Sequence, residues 1–502
     1  MKKLLSVILA IMMMLTAFSA FAEDAGSTPP EAPPGGFGDG NPPGEPPEGF
    51  DGSNPPGEPP EGFSGGNPPG EPPEGFGGGN PPSGGGFGGG TPPGGSSADV
   101  TYTAATEITS AADVSGETYT SDTADESALI ISTGESVTVT DMTVSKTGDS
   151  NGGDNCNFYG LNAAVLVKDG ADVTITGGTV ESSASGANGV FVYGGNGGRN
   201  GADGDGTVLH ISGTTITTTG DGSGGIMTTG GGVTRAENLT VTTSGRSSAA
   251  IRTDRGGGTV VVDGGTYTSN GLGSPAIYST ADITVKNATL VSNLSEGVCI
   301  EGMNSITLEN CDLTASNTQR NGHATFLDTI MIYQSMSGDA ASGTSHFTMT
   351  GGSLTSKSGH VFHVTNTNAV ITLEGVEIVN EDVDNILLSV CADGWSGGSN
   401  IAELKAVAQK LVGAVKVGSD SSLTLELTDG SSFEGSIDGS IVNAKGETVS
   451  AEVGAVSVTL DSTSTWTLTG DSYITEFNGS AENVISNGYT LYVNGAALTG
   501  TI

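Results

Sequence analysis

The amino-acid sequence predicts an all-β protein whose main domain, residues 99–502, is a right-handed parallel β-helix, and two observations carry this prediction. Apolar and polar residues alternate with a period of two through the domain, which is typical of β-strands, and helical periodicity is nearly absent. A short motif also recurs, in which an alternating strand is followed by a small residue, a Thr-like residue and a branched apolar residue. Residues 173–180, 209–216 and 283–290 are three copies of this motif.

The spacing of the motif indicates a solenoid of stacked coils. Its final apolar residue falls at Val144, Val180, Ile216, Val241, Tyr267, Leu290, Leu313, Leu354 and Ile378. Most of the intervals are close to two dozen residues, and the three longer ones, which end at Val180, Ile216 and Leu354, leave room for loop insertions. One coil cannot bury its inner face alone, so we expect each strand to pair in parallel with the equivalent strand of the next coil.

A second motif supports the same stacking. A polar or small residue stands shortly before an apolar one at Asn162, Asn188, Ser223, Ser248, Ser274, Ser295 and Asn385. Buried polar side chains need hydrogen-bond partners, so stacked residues of this type are predicted to form structural ladders between coils. Cys311 falls in the inward slot that glycine or alanine fills in other repeats, and we expect it to fill the core.

Loop insertions are predicted at residues 148–160, 194–206, parts of 318–345 and about 391–416. In the last of these, residues 400–403 resemble a capping box and stand before an apolar stripe that Gly413 would end. The stripe consists of Leu404, Val407, Ala408 and Leu411. We therefore expect one short helix in this insertion.

The N-terminus indicates export. Lys2 and Lys3 precede an apolar run from Leu4 to Phe18, and a small-x-small cleavage site follows at residues 20–22. Residues 1–22 are therefore predicted to be a signal peptide, and the protein to be secreted or associated with the cell envelope. The alternative is an uncleaved anchor. No other apolar run is long enough to cross a membrane, so we expect no membrane span after cleavage.

Residues 23–98 are a Pro/Gly-rich tract that is predicted to be a disordered linker. A short repeat begins at Asn41, returns at Asn54 and Asn67, and starts again at Asn80. Paired prolines favour extended polyproline II, and the near absence of apolar residues prevents a core. We interpret the tract as a spacer, and the alternative is a partner-binding segment that uses Phe50, Phe63 and Phe76.

Composition excludes several classes of function. The formal net charge of −40 repels nucleic acid, so no nucleic-acid partner is expected. The four cysteines show no metal-ligand spacing and are too few for a disulfide scaffold, so we expect packing residues or free thiols. We expect a monomer that needs no cofactor.

Three segments carry a resemblance to a known group of proteins: residues 247–258, 274–280 and 332–339. They are similar to secreted Firmicute proteins with a pectin-lyase-like β-helix, which are usually described as adhesin-like or carbohydrate-binding. Calcium- and cellulose-binding β-helix proteins are similar to a lesser degree. The resemblance covers roughly residues 130–480 and implies the β-helix fold, with binding to a polysaccharide or cell-wall glycan.

Outward residues beside the turn motif form the candidate binding site. Stacking predicts one column of Leu166, Phe191, Met227, Arg252, Tyr278, Cys299 and Tyr333, and a second of Lys168, Thr229, Asp254, Thr280, Glu301 and Ser335. From these columns and the adjacent turn, the predicted ligand-binding residues are Arg252, Asp254, Arg255, Tyr278, Glu301 and Tyr333. The tyrosines would stack on sugar rings, while the charged groups would bond hydroxyls or carboxylates. Alternatively, the arginines and Asp254 form ordinary surface ion pairs that order a glycine-rich turn.

Catalysis is the less favoured interpretation, and no catalytic residue is predicted. A glycosidase needs two carboxyl groups at a defined separation, one of them with a raised pKa. Asp254 and Glu301 lie two coils apart, and neighbouring arginines should lower the pKa of Asp254. The five histidines show no convincing pattern with a serine or cysteine.

Calcium is a further candidate ligand. Asp149, Asp154, Asp203 and Asp205 lie in Gly/Asn-rich insertions whose backbone could supply additional oxygen atoms. Their spacing matches no EF-hand, and the alternative is that they are solvated turn residues.

Three functions therefore stay open at this point. The favoured one is a secreted or cell-surface, non-catalytic, adhesin-like protein that binds a polysaccharide or a glycan of a host or of the cell wall. The first alternative is a β-helix polysaccharide lyase or glycoside hydrolase, and the second is a structural component of the envelope or matrix.

Overall fold

The computed structural model of the protein describes residues 100–197 and 203–502. The predicted signal peptide, residues 1–22, and the predicted linker, residues 23–98, lie outside the described residues, and both stay predictions.

The described residues form a parallel β-helix, which confirms the predicted fold. Sheet 1 is a sheet of 13 strands in which every neighbouring pair is parallel. Its strands, one from each successive coil, are Thr103–Ile108, Glu126–Ser132, Val165–Lys168, Val190–Tyr193, Ile226–Thr229, Ile251–Thr253, Ile277–Ser279, Val298–Glu301, Asp328–Tyr333, His360–Thr365, Ile386–Val390, Ala414–Val417 and Ile437–Asp438.

Sheet 2 has 22 strands and forms the other faces of the solenoid. Its first row is Ala112–Ser115, Ser136–Thr140, Asp172–Thr176, Val208–Ser212, Gly232–Thr243, Gly258–Ser269, Asp282–Lys286, Ser305–Glu309, Thr344–Thr350, Thr367–Glu374, Asn400–Val407, Ser421–Thr428, Ala455–Leu460 and Glu476–Asn478. Its second row is Thr118–Ser121, Thr143–Lys146, Thr179–Ser182, Thr215–Thr218, Thr289–Ser292, Asp312–Ala315, Ser353–Ser356 and Glu377–Asn380. The rows form one sheet because Gly232–Thr243 and Gly258–Ser269 run across both.

Smaller elements complete the C-terminal coils. A parallel sheet of four strands consists of Lys410–Val412, Ser432–Gly435, Thr465–Leu468 and Val484–Ile485. Antiparallel pairing joins Ile441–Val442 to Thr448–Ser450, and a last sheet contains Ser472–Ile474, Leu491–Val493 and Ala496–Ala497. The described residues include one short α-helix, Asp154–Phe158, and one 3-10 helix, Ala481–Asn483.

The register of sheet 2 confirms the repeat read from the sequence. Val144 pairs with Val180, Val180 with Ile216, and the series continues without a slip to Leu354 and Ile378. All but Ile378 are buried in the core, and Ile378 packs against it. The alternation predicted the register because a slip by one residue would turn these apolar side chains to the solvent face.

The predicted helix at 391–416 is wrong. Asn400–Val407 is an eight-residue strand of sheet 2 that pairs on one side with Thr367–Glu374 and on the other with Ser421–Thr428. Ala402, Leu404 and Ala406 point inward and are buried. The apolar residues of this segment fit both the helical and the strand periodicity. Hydrogen bonding to a strand on each side stabilises the strand more than a short, isolated helix would be stabilised.

Serine hydroxyl groups link consecutive coils, as the ladder prediction required. The backbone N–H of Ser223 donates to Oγ of Ser248 at 2.9 Å, and the N–H of Ser248 donates to Oγ of Ser274 at 2.8 Å. Each hydroxyl also donates to a carbonyl, as Ser248 does to Gly220 at 3.1 Å. These serines are fully buried, so the ladder satisfies backbone groups that water cannot reach.

Replacing Ser248 by alanine is expected to lower the free energy of unfolding by about 1 to 3 kcal/mol, because the buried N–H of Ser223 and carbonyl of Gly220 lose a partner. Urea unfolding of the two proteins measures the difference. Ser244→Ala is the matched control, since this exposed side chain should change stability by less than about 0.5 kcal/mol. Equal effects of both substitutions would contradict a role for the ladder in stability.

The four cysteines are buried and unpaired, as expected. Cys311 is completely buried in the main core cluster and occupies the predicted inward slot. Among residues 100–197 and 203–502, no helix is long and apolar enough to cross a membrane.

Candidate functional site

The outward-facing middle residues of sheet 1 form a continuous file, which we call the outer file. In order along the solenoid these residues are Ile130, Leu166, Phe191, Met227, Arg252, Tyr278, Cys299, Met331, His363, Ser389, Lys416 and Asp438. Successive members belong to neighbouring strands, which lie about 4.8 Å apart. The members before Arg252 are apolar, Arg252 is the first charged member of the file, and Cys299 and Met331 farther along are apolar again.

Loops cover most of this file. Phe158 and Tyr159, from the helix insertion, pack on Leu166, Phe191 and Met227. Farther along, Trp395 packs against Cys299, Met331 and Tyr333, and Phe326 lies 4.6 Å from the ring of His363. Arg252 and Tyr278 lie between these two covers.

The structure corrects the predicted columns at one coil. Met331, not Tyr333, follows Cys299 in the outer file, and Tyr333 pairs with Glu301, where Ser335 had been predicted. The prediction was two residues out of register. A slip by two keeps every apolar side chain of the strand facing inward, so alternation cannot detect it after a long insertion.

A cleft opens where the outer file is uncovered. It has a volume of about 190 Å³ and is lined by Ser247, Ala249, Arg252, Gly273, Pro275, Tyr278 and Asn321. The guanidinium of Arg252 lies 5.6 Å from the ring centre of Tyr278, a cation–π contact that holds the two side chains side by side. We call this cavity the Arg252 cleft.

Hydroxyl groups surround the carboxylate of Glu301. The hydroxyl of Tyr278 donates to its Oε2 at 2.5 Å, and that of Tyr333 donates to the same atom at 3.3 Å. The hydroxyl of Ser335 donates to Oε1. Glu301 is almost fully buried, so these hydrogen bonds replace the hydrogen bonds to water that its carboxylate loses on burial.

Five of the six predicted ligand-binding residues therefore form one connected group. The side chain of the sixth, Arg255, pairs with a residue outside this group. Arg252 pairs with Asp254 at 2.7 Å, while the side chain of Arg255 donates to Asp339 at 2.6 Å and covers the ring of Phe158. The second ion pair joins residues 84 positions apart and ties a turn to a later loop. Sequence spacing alone could not show that neighbouring arginines choose different partners.

The expected pKa of Asp254 is wrong in direction. Desolvation by burial raises it to about 6, and the charge of Asp339 adds to this, although Arg252 acts in the opposite direction. The prediction included the arginines and omitted the cost of removing the carboxylate from water, which is the larger effect here.

Asp254 should make stability depend on pH in a defined window. Its pKa of about 6 in the folded state exceeds the value of about 4 in an unfolded chain, so the unfolded chain ionises first as pH rises. The wild type should therefore lose stability relative to Asp254→Asn between pH 4 and 6, by on the order of 3 kcal/mol, with little further change above pH 7. Unfolding of both proteins across this range measures the difference. A constant difference, or one that grows in favour of the wild type, would contradict the raised pKa.

Sequence reasoning missed a buried polar cluster. The Nδ1 atoms of His360 and His363 each lie 2.7 Å from the hydroxyl of Ser389, and Nε2 of His363 lies 3.4 Å from Asp393. His363 and Ser389 are fully buried, and Phe326 covers them. The interval between His363 and Ser389 is one coil, so applying the repeat to the histidines could have found this contact.

The structure shows the surroundings of three of the four predicted calcium ligands. Asp149 accepts the N–H of Ser185 at 2.8 Å, and Asp205 accepts both the N–H and the hydroxyl of Thr207. Asp154 lies in the first turn of the helix. The described part of the chain contains no group of three or more His, Cys, Asp or Glu side chains placed to hold a metal ion. Calcium binding with the help of backbone oxygens, including those near Asp203, stays a prediction.

No family model, curated protein or solved structure matches the chain.

Proposed function

We propose that the protein is a secreted or cell-surface, non-catalytic protein that binds a glycan in the Arg252 cleft. The observation that carries this proposal is the composition of the cleft. The ring of Tyr278 and the ring of Pro275 offer apolar surface, and Arg252, Asn321 and Ser247 bring polar groups to the same cavity of about 190 Å³. A sugar presents both an apolar ring face and hydroxyl groups, which match this combination.

Pre-organisation also supports binding. Arg252 is held by Asp254 and by the carbonyl of Ser247 at 3.1 Å, and Tyr278 is held by Glu301. Side chains that are already fixed lose little conformational entropy when a ligand arrives. Because Asp254 balances the charge of Arg252, the pair suits hydroxyl groups as well as a carboxylate.

The sequence supports an extracellular location, which this function requires. The N-terminal residues have the pattern of a signal peptide, and the resemblance to secreted Firmicute adhesin-like proteins implies an extracellular glycan ligand. A Pro/Gly-rich spacer would place the β-helix away from the cell envelope.

A glycan array probed with the mature protein tests this proposal, followed by titration of the best ligand. We expect binding to a restricted set of glycans, and a loss of about tenfold or more in affinity for Tyr278→Ala, since a stacking surface is removed. Tyr489→Ala is the control, because Tyr489 is an exposed tyrosine of the C-terminal coils that lies in neither the Arg252 cleft nor the other cavities named here. An array without any signal, or equal losses for both variants, would contradict the proposal.

One observation favours a second candidate, a polysaccharide-cleaving enzyme. Burial raises the pKa of Asp254 to about 6, and a carboxyl group with such a pKa can act as a general acid near neutral pH. Incubation with the glycans that bind on the array distinguishes the candidates. New reducing or unsaturated ends that disappear in Asp254→Asn would establish catalysis, and their absence would favour a binding protein.

A further inference from the structure

A second cavity lies at the turns that follow sheet 1. It has a volume of about 590 Å³ and is lined by residues of three segments: 334–336 with 342–343, 366–368, and 396–399. This volume falls within the range of about 300 to 1,000 Å³ that is usual for ligand sites. We call it the amide cavity, because amide and hydroxyl side chains dominate its lining: Gln334, Ser335, Asn366, Asn368, Ser396 and Ser399.

The lining of the amide cavity carries no charge. None of the residues that form it is acidic or basic, although the chain as a whole is strongly acidic. A charged ligand would have to give up water here without meeting an opposite charge, which is costly. Hydroxyl groups, in contrast, can donate to and accept from amides and serines at little cost.

Hydrogen bonds between the three segments fix the shape of this cavity. The amide of Asn366 donates to the carbonyl of Gln334 at 2.7 Å and accepts from the N–H of Gly398 at 2.6 Å. The hydroxyl of Ser399 donates to Asn368 at 2.6 Å. The cavity is therefore held open before any ligand arrives.

One polar atom at the wall of the cavity lacks a partner. Gln334 is about nine-tenths buried, and its Oε1 has no hydrogen-bond partner among the described residues. Buried acceptors in proteins are almost always satisfied, and their exceptions call for an explanation. This oxygen is closed to solvent and lies beside Gly302, so it is an unsatisfied acceptor within the wall of the amide cavity and not a contact for a ligand in it.

A single carboxylate connects the two cavities. Ser335, which lines the amide cavity, donates to one oxygen of Glu301, and Tyr278, which lines the Arg252 cleft, donates to the other. Three coil steps separate the strand of Tyr278 from the strand before Asn366, a distance of roughly 15 Å. The cleft lies at the turns before sheet 1 and the amide cavity at the turns after it, so an extended chain would contact both sites only by crossing sheet 1 over Trp395.

We propose that the amide cavity is a second binding site, which takes uncharged sugar units of the glycan whose other end lies in the Arg252 cleft. This inference rests on the proposed function for the class of ligand. It adds two properties of the ligand. The part in the amide cavity is uncharged, and the whole ligand is longer than the Arg252 cleft alone would require.

Titration of the mature protein with neutral oligosaccharides tests this inference. The probes are disaccharides and hexasaccharides of linear glucans, mannans and xylans, with oligogalacturonates as the acidic comparison. We expect Asn368→Asp, which places a charge in the lining, to weaken binding of the preferred neutral hexasaccharide about tenfold, the effect of roughly one lost hydrogen bond to a ligand. Binding of the corresponding disaccharide should change much less.

Controls separate this inference from the proposed function. Asn478→Asp makes the same change on an exposed residue of a distant coil and should leave affinity unchanged. Ser396→Trp fills the amide cavity from an exposed position, so it tests the same site if Asn368→Asp fails to fold.

Loss of affinity in Tyr278→Ala but in neither cavity variant would overturn the second site and leave the first. Loss in both cavity variants with none in Tyr278→Ala would support the second site and contradict the Arg252 cleft. Preference for oligogalacturonates in the wild type, retained in Asn368→Asp, would also overturn the inference.

Discussion

Replacing Arg252 by alanine is expected to lower the free energy of unfolding at pH 8 by about 3 to 5 kcal/mol, the usual cost of breaking a buried ion pair on one side. The side chains of Arg252 and Asp254 are only 13% and 5% exposed, so the carboxylate would be left charged in a poorly solvated place. Arg252 also donates to the carbonyl of Ser247 and to Asn157, on the helix that covers the outer file. Chemical unfolding of the purified proteins measures the effect.

Two comparisons make this prediction specific. Arg252→Ala combined with Asp254→Asn should recover most of the stability, because no buried charge is left without a partner. The effect of Arg252→Ala should also shrink as the pH falls from 8 toward about 6, because Asp254 without Arg252 binds a proton at a higher pH than it does in the wild type. A cost under about 1 kcal/mol at pH 8 would mean that the pair behaves as an exposed one.

Deleting one complete coil is expected to preserve the fold, whereas deleting half a coil of the same region should abolish cooperative unfolding. Ser269 pairs with Ser292, so removing residues 269–291 joins positions that are equivalent in successive coils. Removing residues 281–292 instead deletes Asp282–Lys286 and Thr289–Ser292 and leaves a strand of sheet 1 without its continuation in sheet 2. Solenoid stability is roughly a sum over coils and their interfaces, so the first deletion loses one unit and the second breaks the array.

Circular dichroism and thermal unfolding measure both deletions. The complete-coil variant should keep a strand-rich spectrum and a single transition, yet lose glycan binding because Tyr278 is removed. This variant therefore separates the fold from the site. Failure of both variants to fold, or folding of both, would contradict a stack of interchangeable coils.

The parts of the molecule that repeat could be predicted from the sequence. Inward residues such as Val180, Ile216 and Leu290 were placed correctly, because burial on one face of a strand imposes a period of two and coil length imposes the longer interval. Errors arose where one local pattern fits two structures. Residues 400–407 satisfy the helical and the strand periodicity, and the segment around Tyr333 satisfies two registers.

The environment of the candidate site could not be predicted in the same way. Phe158, Asn321 and Trp395 reach the outer file from insertions, and nothing in the repeat indicates where an insertion will pack. These loops decide which part of the file is open. Asp254 is buried in the folded molecule, and the loss of solvation sets the direction of its pKa shift.

Hydrogen–deuterium exchange with and without the best glycan from the array tests most directly whether the ligand occupies the open part of the outer file. We predict that peptides containing Arg252, Tyr278 and Asn321 exchange more slowly in the presence of the glycan, since their backbone opens less often when the cleft is filled. Peptides around Tyr473 should exchange at the same rate in both samples. Slower exchange confined to Tyr473 or to other coils, with none at Arg252 and Tyr278, would contradict the account.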